Sequence, residues 1–383
     1  MTVTNEYSNE FGISNSSLKD WGRLSPLQWK KKWIDGERES SSEDHFVFGS
    51  LLDVLLFTPE TFKKKYFIFN GVFPAEAVAK IVKDCYHQII EINKQIEKSN
   101  ENVPIEENLK PLSLEDNREL VLTCVKNYPS IDKETNELKF GWQNNWKDDT
   151  RIDKIIEQGQ LYFNILTQVN EREIITSSLL SLAEELKTIL LTNENTMYYF
   201  IPTEGVEIFH QFEIYDVYNV QITGNNIPRK GCLDILVVNH NNKTIRVVDF
   251  KTDQNAFNFI YTAKKFDYCG QLTYYNSLVE NLISDNTHHW HGYTLLPPRN
   301  VVIDRFEKNP YVYEYSKYDC ISSQYGNREF LPKIPGTNDS IGRVIIGWEE
   351  KLYEIADYLQ HHKWHYDNRM NTNHYKTLYL YET

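Results

Sequence analysis

Two short apolar runs restrict this chain more than any other feature. They are Leu233-Asp234-Ile235-Leu236-Val237-Val238 and Ile245-Arg246-Val247-Val248-Asp249-Phe250-Lys251, separated by His240-Asn241-Asn242-Lys243. Apolar and β-branched residues on either side of a polar, Asn-rich link read as a hairpin, because Asn tolerates the positive φ of a tight turn. A two-residue loop pairs 240 with 243 and 239 with 244; the same register carried back sets Asp234 opposite Asp249. Side chains alternate along a strand, so Lys251 shares the face of Asp249. Opposed carboxylates repel across a ladder, and strands that are apolar on both faces are normally covered by other layers. A carboxylate in such a place needs a cation, a lysine or solvent. The pair therefore reads as a divalent-metal site with a lysine beside it. A longer loop with the register slipped by one would instead leave both acids as surface residues near a turn. Spacing alone leaves both readings open.

The order of Asp234, a hairpin and then Asp249-Phe250-Lys251 resembles the core signature of the PD-(D/E)xK nuclease superfamily. Two further pieces resemble its RecB-like and phage recombination exonuclease branch: Tyr268-x-x-Gln271-x-x-x-Tyr275, and the run Phe48-Gly49-Ser50-Leu51-Leu52-Asp53-Val54-Leu55-Leu56 followed by Pro59-Glu60 and Phe62. In many relatives the latter helix places a His on the metal; this chain departs from that pattern with Asp53. The opening Ile13-Ser14-Asn15-Ser16-Ser17-Leu18 and Ser25-Pro26 also look like the start of such proteins. The likeness implies an α+β chain with an α/β/α restriction-endonuclease-like core, a central mixed sheet flanked by helices, and a helical insertion. It further implies hydrolysis of duplex DNA from free ends in recombination or repair, with a single-strand annealing protein as partner and a ring-shaped homo-oligomer.

Residue chemistry agrees with that expectation. Mg²⁺ and Mn²⁺ take oxygen ligands, commonly a few carboxylates plus water, and Asp53, Asp234, Asp249 and the Phe250 carbonyl would form such a shell. The ion would acidify a bound water and clamp the phosphate. Lys251 would orient or deprotonate that water, or stabilise developing charge. Gln271 and Tyr275 lie four apart, hence on one helical face, placed to hold Lys251 or a phosphate. Other enzymes of this kind would be a structure-selective or single-strand endonuclease; a non-catalytic DNA-binding or assembly protein is the alternative from another class.

Basic residues for a DNA backbone are Lys30, Lys31 and Lys32, interleaved with Trp29 and Trp33, then Lys264 and Lys265, with Lys63-Lys64-Lys65 as a similar run. Each is also an ordinary solvated face. A net charge of −13 argues against a tight static DNA binder unless charge is polarised across the molecule. Five scattered cysteines without a C-x-x-C pair argue against zinc fingers, a disulfide framework and an iron–sulfur staple. No apolar run would span a bilayer and the first residues lack a secretory pattern, so the expectation is a cytoplasmic protein without a membrane partner. His288-His289-Trp290-His291 reads as a solvated loop rather than a metal site. Along the chain, 1–66 reads as core helices including the Asp53 helix, 67–195 as a helical insertion, and 196–383 as the core sheet with its closing helices. Expected strands cover Met197–Ile201, Glu207–Val217, Asn219–Thr223, Tyr293–Leu296, Val301–Phe306 and Tyr311–Tyr315. A closing helix over 345–365 carries Trp348, Leu352, Ile355 and Leu359 on one stripe.

Overall fold

The computed structural model describes residues 11–37, 44–71, 73–100, 113–131, 137–169, 172–220, 225–333, 340–361 and 364. The chain divides into two compact units, 1–61 together with 181–383, and 62–180.

The first unit begins with helices whose starts are written in local sequence. Ser14 and Ser17 cap each other reciprocally at α1 (Asn15–Trp21), and Ser25 and Gln28 do the same at α2 (Pro26–Trp33), with Pro26 in the first turn. Each box satisfies backbone N–H groups that lack a helical acceptor, and proline suits a position where no N–H is needed. Helix α3 (Asp44–Phe57) follows. The sheet then forms from β1 (Val206–Val220), β2 (Asn225–Asn239), β3 (Thr244–Asp253), β4 (Thr294–Leu295), β5 (Arg299–Asp304) and β6 (Pro310–Glu314). Its order is β6-β5-β3-β2-β1, with β4 beside the first residues of β3. The β1–β2, β2–β3 and β5–β6 pairs are antiparallel; β3–β5 and β3–β4 are parallel. The fold is thus mixed α and β, with a mixed central sheet flanked by helices. Helices α4 (Phe259–Lys265) and α5 (Tyr268–Ser284) connect β3 to β4, and α6 (Lys317–Tyr325) and α7 (Trp348–His361) follow the sheet.

The hairpin pairs Asn239 with Thr244 and continues to Ile235 with Val248. This is the expected register over 235–239, but the ladder ends before the expected Asp234–Asp249 pair, because β3 turns to β5 there; the loop is the four residues 240–243 and the left-handed residue is Lys243 (φ 50°), not either Asn. A four-residue loop lacks only the last pair of a two-residue one, so the strands keep their alignment. The expected strand at Met197–Ile201 is instead a 3₁₀ turn, Met197–Tyr199. Its aromatic residues favour strand, but Phe200 is buried against Phe57 and Phe250, and packing overrides propensity. The two strands expected over Glu207–Val217 and Asn219–Thr223 form one continuous strand, β1, as far as Val220; residues 221–223 lie outside the described residues.

Helix α5 covers one face of the sheet, over Leu236, Val238, Ile245 and Val247, and these join Trp21, Trp29, Trp348, Leu352 and Ile355 in one core. Each such aliphatic side chain removed from water contributes about 1.5–3 kcal/mol. Within this core lies a buried cation: Arg229 donates to both Asp216 carboxylate oxygens and to Ser277 Oγ (2.9 Å), with its guanidinium 4.3 Å from the centre of the Tyr218 ring. It ties β1 and β2 to α5. Phe250 and Phe57 form a ring cluster with Phe200 and His210.

The second unit packs helices Glu76–Asn100, Arg118–Asn127 and Asp148–Leu166 around Ile81, Val82, Cys85, Val121 and Ile155. A Cβ at Gly159 would fall 2.3 Å from Val82 Cγ2, so glycine is what lets these helices approach. It also holds a parallel strand pair, Tyr66–Phe69 with Glu173–Thr176, and a small hairpin, Pro129–Ile131 with Leu138–Phe140. No helix among the described residues is long and apolar enough to cross a membrane.

Candidate active site

The central sheet forks, and the expected charged residues collect at the fork. Strand β3 leaves β2 after the Ile235–Val248 pair and runs on beside β5, from Val248 with Arg299 to Asp253 with Asp304. Further back on β2, Ile13 takes the place of β3: its N–H donates to Pro228 O (2.8 Å) and its carbonyl accepts from Lys230 N (2.9 Å). Asp234 lies between these two pairings. On the other side of β2 the ladder also skips a residue: Gln211, at φ 50°, falls between the pairs His210–Ile235 and Phe212–Leu233. A side chain at such a break escapes the close packing of a continuous sheet, which is how a carboxylate comes to stand among apolar strands.

Asp249 is 1% exposed and fully engaged. Gln271 Nε2 donates to Oδ1 (3.0 Å); Asn300 Nδ2 (2.8 Å) and Lys251 Nζ (2.7 Å) reach Oδ2. Asn300 stands opposite Asp249 on β5, and the Tyr315 hydroxyl donates to Asn300 Oδ1 (2.7 Å), which turns the amide so that its NH₂ faces the carboxylate. Asp234, whose side chain is 22% exposed, accepts from Phe250 N (3.1 Å) and lies 3.8 Å from Lys251 Nζ. The ammonium of Lys251 also donates to the Phe250 carbonyl (3.1 Å). Burial lowers the proton affinity of Lys251, but Asp249 and Asp234 outweigh it and hold the ammonium above its ordinary value. Burial, then the charges of Asp249 and Asp53, push the Asp234 carboxyl well above the usual carboxylate range, against the opposing pull of Lys251. Asp53, on α3, therefore contributes to the field at Asp234.

The helix that presents Gln271 is held by its first turn. Asp267 adopts a left-handed backbone (φ 52°) and its carboxylate accepts from Gly270 N (3.0 Å). A Cβ at Gly270 would meet that carboxylate at 2.4 Å, so a larger residue there would displace the capping side chain. Gln271 Nε2 lies 3.5 Å from the Tyr275 hydroxyl, one turn along. Tyr268 carries a lysine over its ring twice, Lys251 at 5.1 Å and Lys19 at 5.4 Å from the centroid. Lys19 comes from α1, and burial, partly offset by Asp267, brings it down from 10.5 to about 8. The site thus sets Asp53, Asp234, Asp249 and Asp267 against Lys251 and Lys19.

Among the described residues, no group of three or more His, Cys, Asp or Glu side chains is arranged to hold a metal ion. Two carboxylates and a carbonyl do meet at one point, and Lys251 is the cation that joins them. That donor set suits magnesium, which commonly takes one or two carboxylates and keeps several waters. Asp249 Oδ2 already accepts two hydrogen bonds, so a cation there competes with Lys251 for it.

Asp234, Asp249, Lys251, Phe250 and Gln271 are therefore gathered at one place, with Tyr275 behind Gln271. The Lys30-Lys31-Lys32 run lies on α2, where Lys30 pairs with Asp35 (2.6 Å) and Lys32 with Asp20 (2.7 Å) rather than with any member of the cluster. Lys264 and Lys265 are exposed on α4. Glu213 pairs with Cys232 across the β1–β2 ladder, and burial, Asp234 and Glu213 push the Cys232 thiol up to about 12. His289 and His291 are exposed in a turn, while Trp290 packs on Phe209 and Phe212. Asn300, Tyr315 and Lys19 went unread in the sequence. For Asn300 and Tyr315 no spacing signal exists, since the parallel pairing of β3 with β5 brings Asn300 near and the antiparallel return of β6 along β5 brings Tyr315. Lys19 had a faint one, lying next to Leu18 in the capped opening helix.

No family model matches the chain, and a search of curated proteins finds no match either.

Proposed function

We propose that this protein is a divalent-metal-dependent deoxyribonuclease with a core of the PD-(D/E)xK, restriction-endonuclease-like type, hydrolysing phosphodiester bonds from the ends of duplex DNA. The observation that supports this best is the Asp234–Lys251–Asp249 cluster at the fork of the sheet, with Lys251 Nζ 2.7 Å and 3.8 Å from the two carboxylates. A structural ion pair needs no second carboxylate, and an isolated second one is costly to bury. A magnesium or manganese ion held by Asp234, Asp249 and the Phe250 carbonyl, with Asp53 adding negative field, would supply positive charge to the phosphate and acidify water.

The chain's own residues do the rest. Asn300 and Gln271 hold the Asp249 carboxylate in one orientation, and Tyr315 holds Asn300. Lys251, kept protonated by its neighbours, donates a hydrogen bond to an anionic phosphate oxygen as charge grows there. Lys19, also over the Tyr268 ring, adds a second positive charge from α1. Preorganised donors of this kind cost no rearrangement when the reaction occurs. A second reading is a non-catalytic DNA-binding or assembly protein on the same core; what favours it is that Lys251 already occupies the Asp249 carboxylate a metal would need, and that among the described residues no group of three or more His, Cys, Asp or Glu side chains is arranged to hold one.

The test is hydrolysis of end-labelled linear duplex with Mg²⁺ or Mn²⁺, beside covalently closed circular DNA, for the wild type and Lys251→Ala. Metal-dependent loss of the linear substrate alone, abolished by the substitution, is the expected result. Cleavage of circles as well would point to an endonuclease. An inert wild type on every DNA would overturn the enzyme reading and leave the binding protein.

A further inference from the structure

Where β3 ends, just beyond Lys251, the chain places large apolar side chains in water. Phe257 is 68% exposed and Tyr261 72%, and Ile260 and Phe266 are exposed as well. These are not the unused side of a poorly packed helix. The inward face of the same segment, Ala256, Phe259 and Ala263, is already buried against Val302. Phe306, 73% exposed, joins the patch from the turn after β5. Asp304 fastens the two segments together: its carboxylate accepts from Ala256 N (3.2 Å) and from the backbone of Phe306 (2.6 Å) and Glu307 (2.8 Å). Tyr313 adds a hydroxyl bond to the Phe257 carbonyl (3.0 Å). The backbone beneath the exposed rings is therefore rigid, although the rings contribute little to folding.

The charges beside the rings identify the occupant. Lys264 and Lys265 are exposed on the same helix, and among the described residues neither has a carboxylate partner, unlike Lys30 and Lys32. Lys265 lies over the Phe266 ring, 5.2 Å from its centroid, and rings with such lysines, free of carboxylate partners, on a fixed backbone fit a polyanion with flat faces. Every base offers a π-face, and unstacked bases are available only in single strands. A chain with a net charge of −13 gains little from long-range attraction to phosphates, so stacking, which salt hardly weakens, would have to carry much of the affinity. An apolar protein partner would explain the rings but not the lysines.

We propose that Phe257, Tyr261 and Phe306, with Lys264 and Lys265, form a platform on which an unpaired nucleic-acid strand stacks as it enters the cluster at Asp234, Asp249 and Lys251. The inference rests on the nuclease reading of that cluster for its purpose, but not for its measurement. It deepens that reading by making a single-stranded segment part of the substrate.

The measurement is fluorescence anisotropy of a labelled oligothymidylate and a blunt duplex of equal length, in EDTA, with the wild type and the double variant Phe257→Ala/Tyr261→Ala. Both rings are outside the core, so the variant folds, which circular dichroism checks. Two lost stacking contacts predict weaker oligothymidylate binding by about thirtyfold or more, with the duplex much less affected. Lys264→Gln/Lys265→Gln should weaken both probes and flatten the salt dependence by about one to two in log–log slope. A wild type that does not bind oligothymidylate, or a ring variant that binds it unchanged, overturns the platform. So does a wild type that is dimeric by light scattering while the ring variant is monomeric, which would assign the patch to a second copy. Mg²⁺-dependent cleavage is scored separately. Strand binding without cleavage of any DNA sinks the nuclease reading alone, and cleavage indifferent to the rings sinks the platform alone.

Discussion

Replacing Lys19 by Met should make the protein more stable at neutral pH while impairing its site. Lys19 is shielded by the elements around Tyr268, and its proton affinity falls from 10.5 to about 8 because burial disfavours the charge more than Asp267 supports it. The unfolded chain has no such penalty. At pH below about 8 both states carry the proton, and the folded state bears the whole cost of the charge. The difference corresponds to an upper value of about 3 kcal/mol, at about 1.4 kcal/mol per pH unit. Between about 8 and 10.5 the folded state releases its proton first, so wild-type stability rises relative to the variant and the gap closes. Met keeps an unbranched apolar stem against Tyr268, so packing loss stays small. Urea denaturation of both proteins at neutral pH and at two points in the alkaline interval measures the gap, and the comparison cancels other alkaline titrations. A gain of about 1–3 kcal/mol at neutral pH that shrinks with rising pH is expected. A neutral-pH loss, or a difference that does not move with pH, would show that the Lys19 charge is well solvated or well paired and would refute the reasoning.

Four other outcomes follow from the same geometry. Lys251→Ala leaves the carboxylate of Asp249 facing Asp234 without its cation, a loss of about 3–5 kcal/mol in urea unfolding without metal, part of which added Mg²⁺ should restore. Asn300→Ala strips a donor from the buried Asp249 carboxylate and an acceptor from Tyr315, costing about 2–4 kcal/mol in chemical denaturation and, under the proposed nuclease function, lowering kcat more than it raises KM. Gly231→Ala would bring a Cβ to 2.7 Å from Leu278 Cδ1 and 3.2 Å from the Tyr275 ring, pushing α5 from the sheet; the expected cost is about 1–3 kcal/mol, read as a lowered Tm. Arg229→Met leaves Asp216 without its guanidinium partner and should destabilise by about 3–5 kcal/mol, with Asp216→Asn in the same chain recovering part of the loss in a double-mutant cycle.

Local signals determined a good deal of this protein. The capping boxes at Ser14 and Ser25, the hairpin register, and the shared face of Asp249 and Lys251 all depend on residues near in sequence, obeying periods of 3.6 and 2. Gln271 was legible only through the resemblance of Tyr268-x-x-Gln271-x-x-x-Tyr275 to the nuclease pattern, since α5 begins well beyond the end of β3. The register survived even a wrong loop length, since it was set by which side chains the core accepts and not by the turn. What tertiary structure alone decided is the setting that gives those residues their chemistry. Asp234 stands at a fork because Ile13, from the far end of the chain, occupies the edge that β3 vacates. Asn300 and Tyr315 orient Asp249 because β5 returns parallel to β3, and Lys19 reaches Tyr268 because α1 packs nearby. The 3₁₀ turn at Met197–Tyr199 likewise follows from where Phe200 is buried. Short-range periodicity says which way a side chain points, whereas its neighbours, burial and proton affinity depend on segments brought in from elsewhere.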